Sequence, residues 1–460
     1  MTRIDATIFR AYDVRGTVPD QLNPTVVEQL GRAIGTLALA KGDQVVVTAR
    51  DGRLSGPELQ DALNRGLTAT GIHVIDVGMV PTPVLYFAAL TLGTGSGVMV
   101  TGSHNPPDYN GFKMMIAGHT LYGADITGLR DAIATDALAT GTGQVTVADA
   151  LTPYHQHIVS DITLHKPLKV AIDCGNGVAG VCAEALFQAL GCIVVPLFTE
   201  VDGNFPNHHP DPSKPKNLLD VIAAVKTEGC DLGLAFDGDG DRVGVITEDG
   251  ESIYPDRLMM LLARDVLSRN PGATVIYDVK CSRHLGPVIA EAGGQPLMWK
   301  TGHSLVKAKM KETGALLAGE MSGHIFFKER WFGFDDGLYT AARLLEIFAR
   351  DGRTTSSYFS HIPNDVSTPE LNIEVADSEK FQLVERVAEI ITARKLPLST
   401  IDGVRVDLDS GWGLIRCSNT TPNLVLRFEA ESDAALESIR SELLSALQEA
   451  EPTLELNNLC

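Results

Sequence analysis

The chain has 460 residues, 44% of them hydrophobic and 21% charged, an ordinary globular composition too long for one hydrophobic core. Its formal net charge of -20 argues against a nucleic-acid partner, which requires a basic face, but not against a small phosphorylated substrate held by a local cluster of arginine and lysine. No apolar run is long enough to cross a bilayer, and MTRIDATIFRAYDVRG carries acids and arginines where a signal peptide is apolar, so a cytoplasmic protein without a membrane partner is expected.

Short apolar, β-branched runs alternate with longer helical patterns. QVVVTA at 44 precedes a helical PELQDALNRGLTATG and then HVIDVG at 73, a rhythm that predicts parallel strands joined by crossover helices. The rhythm recurs. Strand leads QVVVTARDGR, LKVAIDCGNG and ATVIYDVK begin at 44, 168 and 273, and a second set, GVMVTGSHN, LGLAFDGDG and ALLAGEMSG, begins at 97, 232 and 315. Each member of the second set is an apolar strand running into a polar, Gly-containing loop. Open α/β sheets bind ligands at such carboxyl ends, so three similar domains are expected, each delivering one functional loop.

Turn-rich stretches near 140–153, 247–256 and 361–370 mark candidate boundaries. Beyond them lie strands at 371–375 and 403–407, NLVLRF, and a long amphipathic helix from Ser432. The expected fold class is α/β: three similar α/β domains with mixed, largely parallel sheets, at 1–149, 150–251 and 252–366, plus a smaller C-terminal α+β domain at 367–460. Seven cysteines, at 174, 182, 192, 230, 281, 417 and 460, form no CxxC pair and read as reduced structural thiols rather than a zinc site.

Four loops can carry chemistry. Thr101-Gly102-Ser103-His104-Asn105-Pro106-Pro107 exposes a serine at a strand end, with His104 beside it and Lys113 ten residues on, although alone it is equally a plain turn. Asp237-Gly238-Asp239-Gly240-Asp241-Arg242 places three carboxylates on alternate residues. They repel one another unless a hard cation collects them, which favours one divalent ion, Mg²⁺ first. Glu320 and Ser322 in GEMSGH suit adjacent hydroxyls of a polyol, or else cap a turn. Arg416-Cys417-Ser418-Asn419-Thr420-Thr421, with Arg427 following, suits a phosphate without a Gly-rich P-loop.

Two decoys are present. The aspartate loop has the acid spacing of an EF-hand, with Glu248 at position twelve, but Arg242 stands where glycine is required and the flanks LGLAF and VGVIT are strand-like. Gly175-Asn176-Gly177-Val178-Ala179-Gly180 fits a dinucleotide-binding fingerprint after the strand KVAID, with Glu200 twenty residues past it. An NAD enzyme would leave the acid trio and the Ser103 loop unused. The same glycines also serve close strand–helix packing.

Together, FRAYDVRG, TGSHNPPDYNGFK, DGDGDR, GEMSGH and RCSNTTPNLVLRFEAES resemble the α-D-phosphohexomutase family, in its bacterial phosphomannomutase/phosphoglucomutase branch, over nearly the whole chain. The resemblance implies four domains around a central cleft and reversible interconversion of hexose 1-phosphates and 6-phosphates of mannose and glucose. It implies a phosphoserine at Ser103, which also serves as a metal ligand beside Asp237, Asp239 and Asp241 for one Mg²⁺. It implies hexose 1,6-bisphosphate as intermediate and activator, and a role in supplying exopolysaccharide and lipopolysaccharide precursors. By the same resemblance Glu320 and Ser322 contact sugar hydroxyls, and Arg416, Ser418, Asn419 and Thr420 hold the non-reacting phosphate. Tyr12, Arg15, Lys280 and His303 line the site. Lys113, helped by His104, is the first choice for general acid/base, with His324 and Arg242 as helpers and Arg15 adding charge neutralisation. Small-molecule sugar phosphates are the expected partners, and the chain is expected to be a monomer.

Three departures from the family pattern stand out. Val14 replaces isoleucine in YDIRG, Ser213 stands where glycine is usual, and His284 follows KCSR where arginine is expected, which removes a fixed positive charge near Lys280. Two rivals remain. Phosphoglucosamine mutases resemble this chain but typically carry glutamine at the position of Met321. A catalytically dead sugar-phosphate scaffold has no reason to keep Ser103, three aspartates and Lys113 together.

Overall fold

The computed structural model describes residues 4–419, 421–454 and 456. It divides into two compact units: Met1–Pro255 with Lys307–Glu312 and Ser322–Ser360, and Asp256–Val306 with Thr313–Met321 and His361–Cys460.

The expected lead strands are Val45–Arg50, Lys169–Asp173 and Thr274–Asp278. Each runs parallel to two neighbours. Val45–Arg50 lies between His73–Met79 and Gly97–Val100, and Lys169–Asp173 between Ile193–Leu197 and Leu232–Phe236. In the second unit Thr274–Asp278 lies between Gln295–Trp299 and Leu317–Gly319. The same three-strand unit is therefore built three times, and in each the strand on one side of the lead runs into a functional loop. Antiparallel strands Tyr109–Ile116 and Val243–Thr247 follow the first two loop strands, so the sheets are mixed. The chain is a multi-domain α/β protein, as its alternating pattern predicts.

Local chemistry explains the elements. Helix Pro24–Ala40 starts where the Asn23 side chain accepts the Val26 N–H at 3.1 Å and Pro24 presets the first turn. It buries Val26, Val27, Leu30, Ile34 and Ala38 at helical spacing in the core of the first sheet. The lead and loop strands are continuous apolar runs because both faces of a central parallel strand are covered.

The C-terminal sheet is antiparallel, ordered Val366–Ser367, Asn423–Ala430, Gly411–Cys417, Val404–Leu408 and Leu398–Ser399, with Leu371–Glu374 also on Asn423–Ala430. Helices Lys380–Ala393 and Asp433–Ala450 share its core. One sequence expectation is corrected here. Strand Gly411–Cys417 reads poorly in sequence because glycine disfavours strands, yet a Cβ on Gly413 would stand 2.8 Å from Phe428 and 2.9 Å from Leu443. Glycine is there to let helix Asp433–Ala450 close on the sheet, and Arg416 and Cys417 end a strand rather than open a loop. The candidate boundary at 140–153 contains structure of its own: Val145–Val147 pairs with His73–Met79 as an edge strand and helix Leu151–Asp161 follows.

The six described cysteines are free and buried; Cys460 lies outside the described residues. Among the described residues no helix is long and apolar enough to cross a membrane.

Candidate active site

Strand Gly97–Val100 delivers the serine loop. Thr101 Oγ1 donates to Asp51 Oδ2 at 2.7 Å and accepts the Ser103 N–H at 2.8 Å, which turns the chain sharply. Ser103 has φ of +49°, a left-handed backbone that costs a non-glycine residue about 1–2 kcal/mol. Its Oγ donates to Asp237 Oδ2 at 3.3 Å and lies 3.1 Å from His104 Nδ1. The imidazole of His104 is pulled well below its ordinary pKa by burial and then by Arg242, Arg15 and Lys113, so it stands neutral.

Strand Leu232–Phe236 delivers the aspartate loop into the same neighbourhood. Asp237, Asp239 and Asp241 are fully buried, and an oxygen from each lies within 4.8 Å of the others. Lys113, reaching from strand Tyr109–Ile116, donates to Asp239 Oδ2 at 2.7 Å and to Asp241. Burial opposes the ammonium, but Asp239 and Asp241 outweigh it and hold Lys113 protonated. Asp239 also accepts from Thr82 Oγ1 at 2.6 Å, and its ionised form is favoured despite burial. Burial raises Asp237 to about 7, helped by Asp241 and Asp239 and opposed by Arg242. Burial and then Asp239 raise Asp241 as well.

The residues present fit a cation. Asp239 Oδ1 and Asp241 Oδ1 are buried without a hydrogen-bond donor, and the raised Asp237 and Asp241 show carboxylates short of positive charge. The acidic cluster can therefore hold a metal ion. The EF-hand reading fails, since strands flank this loop on both sides.

Arg242 closes the loop on itself, donating from Nε to Asp237 Oδ2 at 3.0 Å, and it reaches Asp211 and the Ser322 carbonyl at 3.4 and 3.3 Å. Ser213 donates both N–H and Oγ to Asp211 Oδ1, so the serine found where the family has glycine braces the partner of Arg242. His324 Nδ1 lies 3.1 Å from Asp335 and 3.5 Å from Asp241. Lys307 pairs with the other oxygen of Asp335 at 2.8 Å and stands over the Tyr86 ring. Arg15 donates to Asn105 Oδ1 at 2.7 Å and pairs with Asp13; the neighbouring Tyr12 is half-buried. Ser103, His104, Lys113, Arg242, His324 and the three aspartates are thus brought together in the first unit, with Arg15 held on the serine loop. Asp51, Asp211, Asp335 and Lys307 were not legible as site residues.

Of the remaining described candidates, Ser322 belongs to the first unit and Glu320, His303, Lys280, Arg416, Ser418 and Asn419 belong to the second. Glu320 is buried and accepts the Gly302 N–H, beside His303 at the start of helix His303–Thr313. Lys280 pairs with Glu370 at 3.0 Å, which lifts its pKa against the cost of burial. Arg416 donates to Asp402 at 3.0 Å, Ser418 Oγ accepts from Thr421, and Asn419 donates to the Thr301 carbonyl. Thr420 lies outside the described residues. His284 does not simply subtract charge beside Lys280: its Nε2 lies 3.0 Å from Asp365, a carboxylate it shares with Arg283.

The glycines of Gly175–Gly180 are spent on packing. A Cβ on Gly177 would stand 3.0 Å from the backbone of Gly238, and one on Gly180 would stand 2.0 Å from the Thr199 carbonyl. The motif buttresses the aspartate loop and presents no open turn for a pyrophosphate.

Comparison with known proteins identifies relatives along the whole chain. Models of phosphoglucomutase/phosphomannomutase alpha/beta/alpha domains I, II and III match residues 6–140, 152–250 and 254–366, and that of the C-terminal domain matches 370–446. A phosphomannomutase/phosphoglucomutase of Pseudomonas aeruginosa is 59% identical over 451 residues, 98% of this chain and 97% of that protein. A phosphoglucomutase of Neisseria gonorrhoeae is 54% identical over 97% of this chain and 98% of its own. The crystal structure of a phosphoglucomutase/phosphomannomutase family protein from Burkholderia thailandensis superposes with a TM-score of 0.94 at 55% identity, covering 98% of this chain and 99% of that one. With all four domain models matched and relatives this similar across its length, the chain belongs to the phosphoglucomutase/phosphomannomutase family of phosphohexomutases.

Proposed function

We propose that this chain interconverts the 1-phosphates and 6-phosphates of glucose and mannose through phosphorylated Ser103 and a hexose 1,6-bisphosphate. The observation that carries the reading is the placement of Ser103 Oγ 3.3 Å from Asp237, beside the buried acid trio and Lys113. In the forward step the phosphorus–oxygen bond to Ser103 breaks as one forms to a free sugar hydroxyl, whose proton passes to a neighbouring base. The bisphosphate then turns over and returns its other phosphate to Ser103, with a proton delivered to the sugar oxygen. Nothing is hydrolysed in the cycle.

Asp237, Asp239 and Asp241, with a phosphate oxygen on Ser103, would hold one Mg²⁺. Bound there, it would neutralise charge on the transferring phosphoryl group. Lys113 is assigned as general acid, since its two aspartates keep it charged, and neutral His104 as its complement. His324, with Nδ1 between Asp335 and Asp241, is assigned as a helper. Arg242 and Arg15 supply fixed positive charge. Glu320 and Ser322 are assigned to sugar hydroxyls. Arg416, Ser418, Asn419 and Thr420 are assigned to the distal phosphate, with Lys280, His303 and Tyr12 as further contacts. Domain limits at 1–149, 150–251, 252–366 and 367–460, a cytoplasmic monomer, and activation by hexose 1,6-bisphosphate belong to the same reading.

The decisive test is Ser103→Ala in a coupled assay on glucose, mannose and glucosamine phosphates. Turnover should fall by about a thousandfold or more while sugar-phosphate binding survives. Near-normal turnover of glucose 1-phosphate would remove the phosphoserine mechanism. Preference for glucosamine phosphate would favour the rival within the family.

A further inference from the structure

Arg53 has no part in the chemistry above, yet it is wholly buried directly under the serine loop. Its side chain is 0% exposed, and its Nε lies 3.3 Å from Asp51 Oδ2. The remaining nitrogens go to backbone. Nη2 donates to the carbonyls of Ser103 at 2.9 Å and Asn105 at 2.6 Å, and Nη1 to those of Pro106 at 2.5 Å and Tyr109 at 2.9 Å. The ring of Phe205 closes one side of the guanidinium, 5.3 Å from its carbon. Gly102 leaves room for it, because a Cβ there would come within 2.4 Å of the guanidinium.

Asp51 takes the other half of the loop. Its Oδ2 accepts Thr101 Oγ1 at 2.7 Å and the Gly102 N–H at 3.3 Å, and its Oδ1 accepts the Arg53 N–H at 3.0 Å. Acid and base therefore form one clamp: the carboxylate holds donors before Ser103, and the guanidinium holds acceptors from Ser103 onward. The left-handed backbone of Ser103 sits at the junction. Such a conformation persists only where surrounding contacts over-determine it.

We propose that Arg53, acting with Asp51, is a positioning residue that fixes the Ser103 backbone so that Oγ is aimed at the aspartate cluster for phosphoryl transfer. The proposal rests on the reading of Ser103 as the phosphoryl carrier. Only arginine suits the position, because the two terminal nitrogens of its planar fork serve four carbonyls at once while the same charge stands beside the Asp51 carboxylate, whereas an ammonium has three donors at one point.

The third repeat supports this reading of the acid. Asp278 ends its lead strand as Asp51 follows the first, and its Oδ1 accepts the Met321 N–H of the third functional loop at 3.1 Å. Its other oxygen accepts Thr301 Oγ1 at 2.7 Å. A basic residue again stands two positions on, but Lys280 turns to Glu370 instead of to backbone. The loop-holding acid is common to both repeats, and the guanidinium clamp is particular to the first.

The test is Arg53→Lys in the full chain, assayed on glucose 1-phosphate with bisphosphate activator. A displaced Oγ should lower kcat at least about thirtyfold while KM stays within about threefold, since the substrate-holding groups are untouched. Formation of the phosphoserine from glucose 1,6-bisphosphate should slow by the same factor. A kcat within twofold of the parent overturns the proposal, as does a rise in KM that accounts for the whole loss. Should Arg53→Lys fail to fold, Thr101→Val decides: it cuts the tether to Asp51 with Arg53 in place, and the same loss confined to kcat is expected. An inactive Ser103→Ala beside a fully active Arg53→Lys would leave the carrier reading standing and remove only the clamp. An active Ser103→Ala would remove the carrier itself.

Discussion

Lys113 Nζ stands 2.7 Å from Asp239 Oδ2, and this buried ion pair joins a strand of the first sheet to the loop leaving the second. The ammonium and a divalent cation answer the same need of the same carboxylates. Removing one member of a buried pair is costly because the other is left charged and unsolvated. Lys113→Met should therefore lower stability in chelator by about 3–5 kcal/mol. Added Mg²⁺ should restore more stability to the variant than it adds to the parent. Urea unfolding with and without Mg²⁺ measures both, and an equal Mg²⁺ increment in the two proteins would count against cation binding at the trio.

Gly238 is a point at which the aspartate loop touches the serine loop. A Cβ there would stand 2.3 Å from the carbonyl oxygen of Ser103, which is backbone and cannot swing aside. Gly238→Ala should leave the circular dichroism spectrum unchanged but lower kcat about a hundredfold, as a displacement of an ångström or so does in a positioned transfer. Steady-state kinetics decide it; a kcat within a fewfold of the parent would mean that the two loops tolerate separation.

Asp336 caps helix Gly337–Phe348 by accepting the Tyr339 N–H at 2.9 Å, and it receives the Tyr154 hydroxyl at 2.8 Å. Burial raises its pKa to about 7, against the opposing pull of those hydrogen bonds. The folded state thus binds a proton that the unfolded chain has released above about pH 4. Its contribution to stability is complete below pH 4 and is lost as pH rises through 7, by at most about 4 kcal/mol. Asp336→Asn should flatten this part of the stability profile between pH 5 and 8 in metal-free protein. An unchanged slope would show that another group sets it.

Much of this is legible in the sequence. The four loops are contiguous in sequence, and alternating acids or a serine between glycine and histidine announce their chemistry within a few residues. The threefold repeat was readable because central parallel strands are apolar on both faces and end in polar loops. The supporting shell was not. Asp51, Arg53, Asp211, Asp335 and Lys307 sit in unremarkable stretches, and their meaning comes from partners on other strands and loops. Gly411–Cys417 was missed for a related reason: Gly413 is there for a helix that follows it in the chain.

The division follows from what each level of structure can encode. The sequence by itself determined which side chains are chemically able to carry phosphate, bind a cation and read hydroxyls, because those abilities belong to residue types and short spacings. It also determined the family, through motifs too specific to arise from α/β rhythm. Only the tertiary structure decided that Lys113 bridges two aspartates, that His104 is neutral, and that the Gly175–Gly180 motif is packing rather than a nucleotide turn. Those outcomes depend on burial and on distances across sheets, which set desolvation and charge coupling and are not written in local sequence.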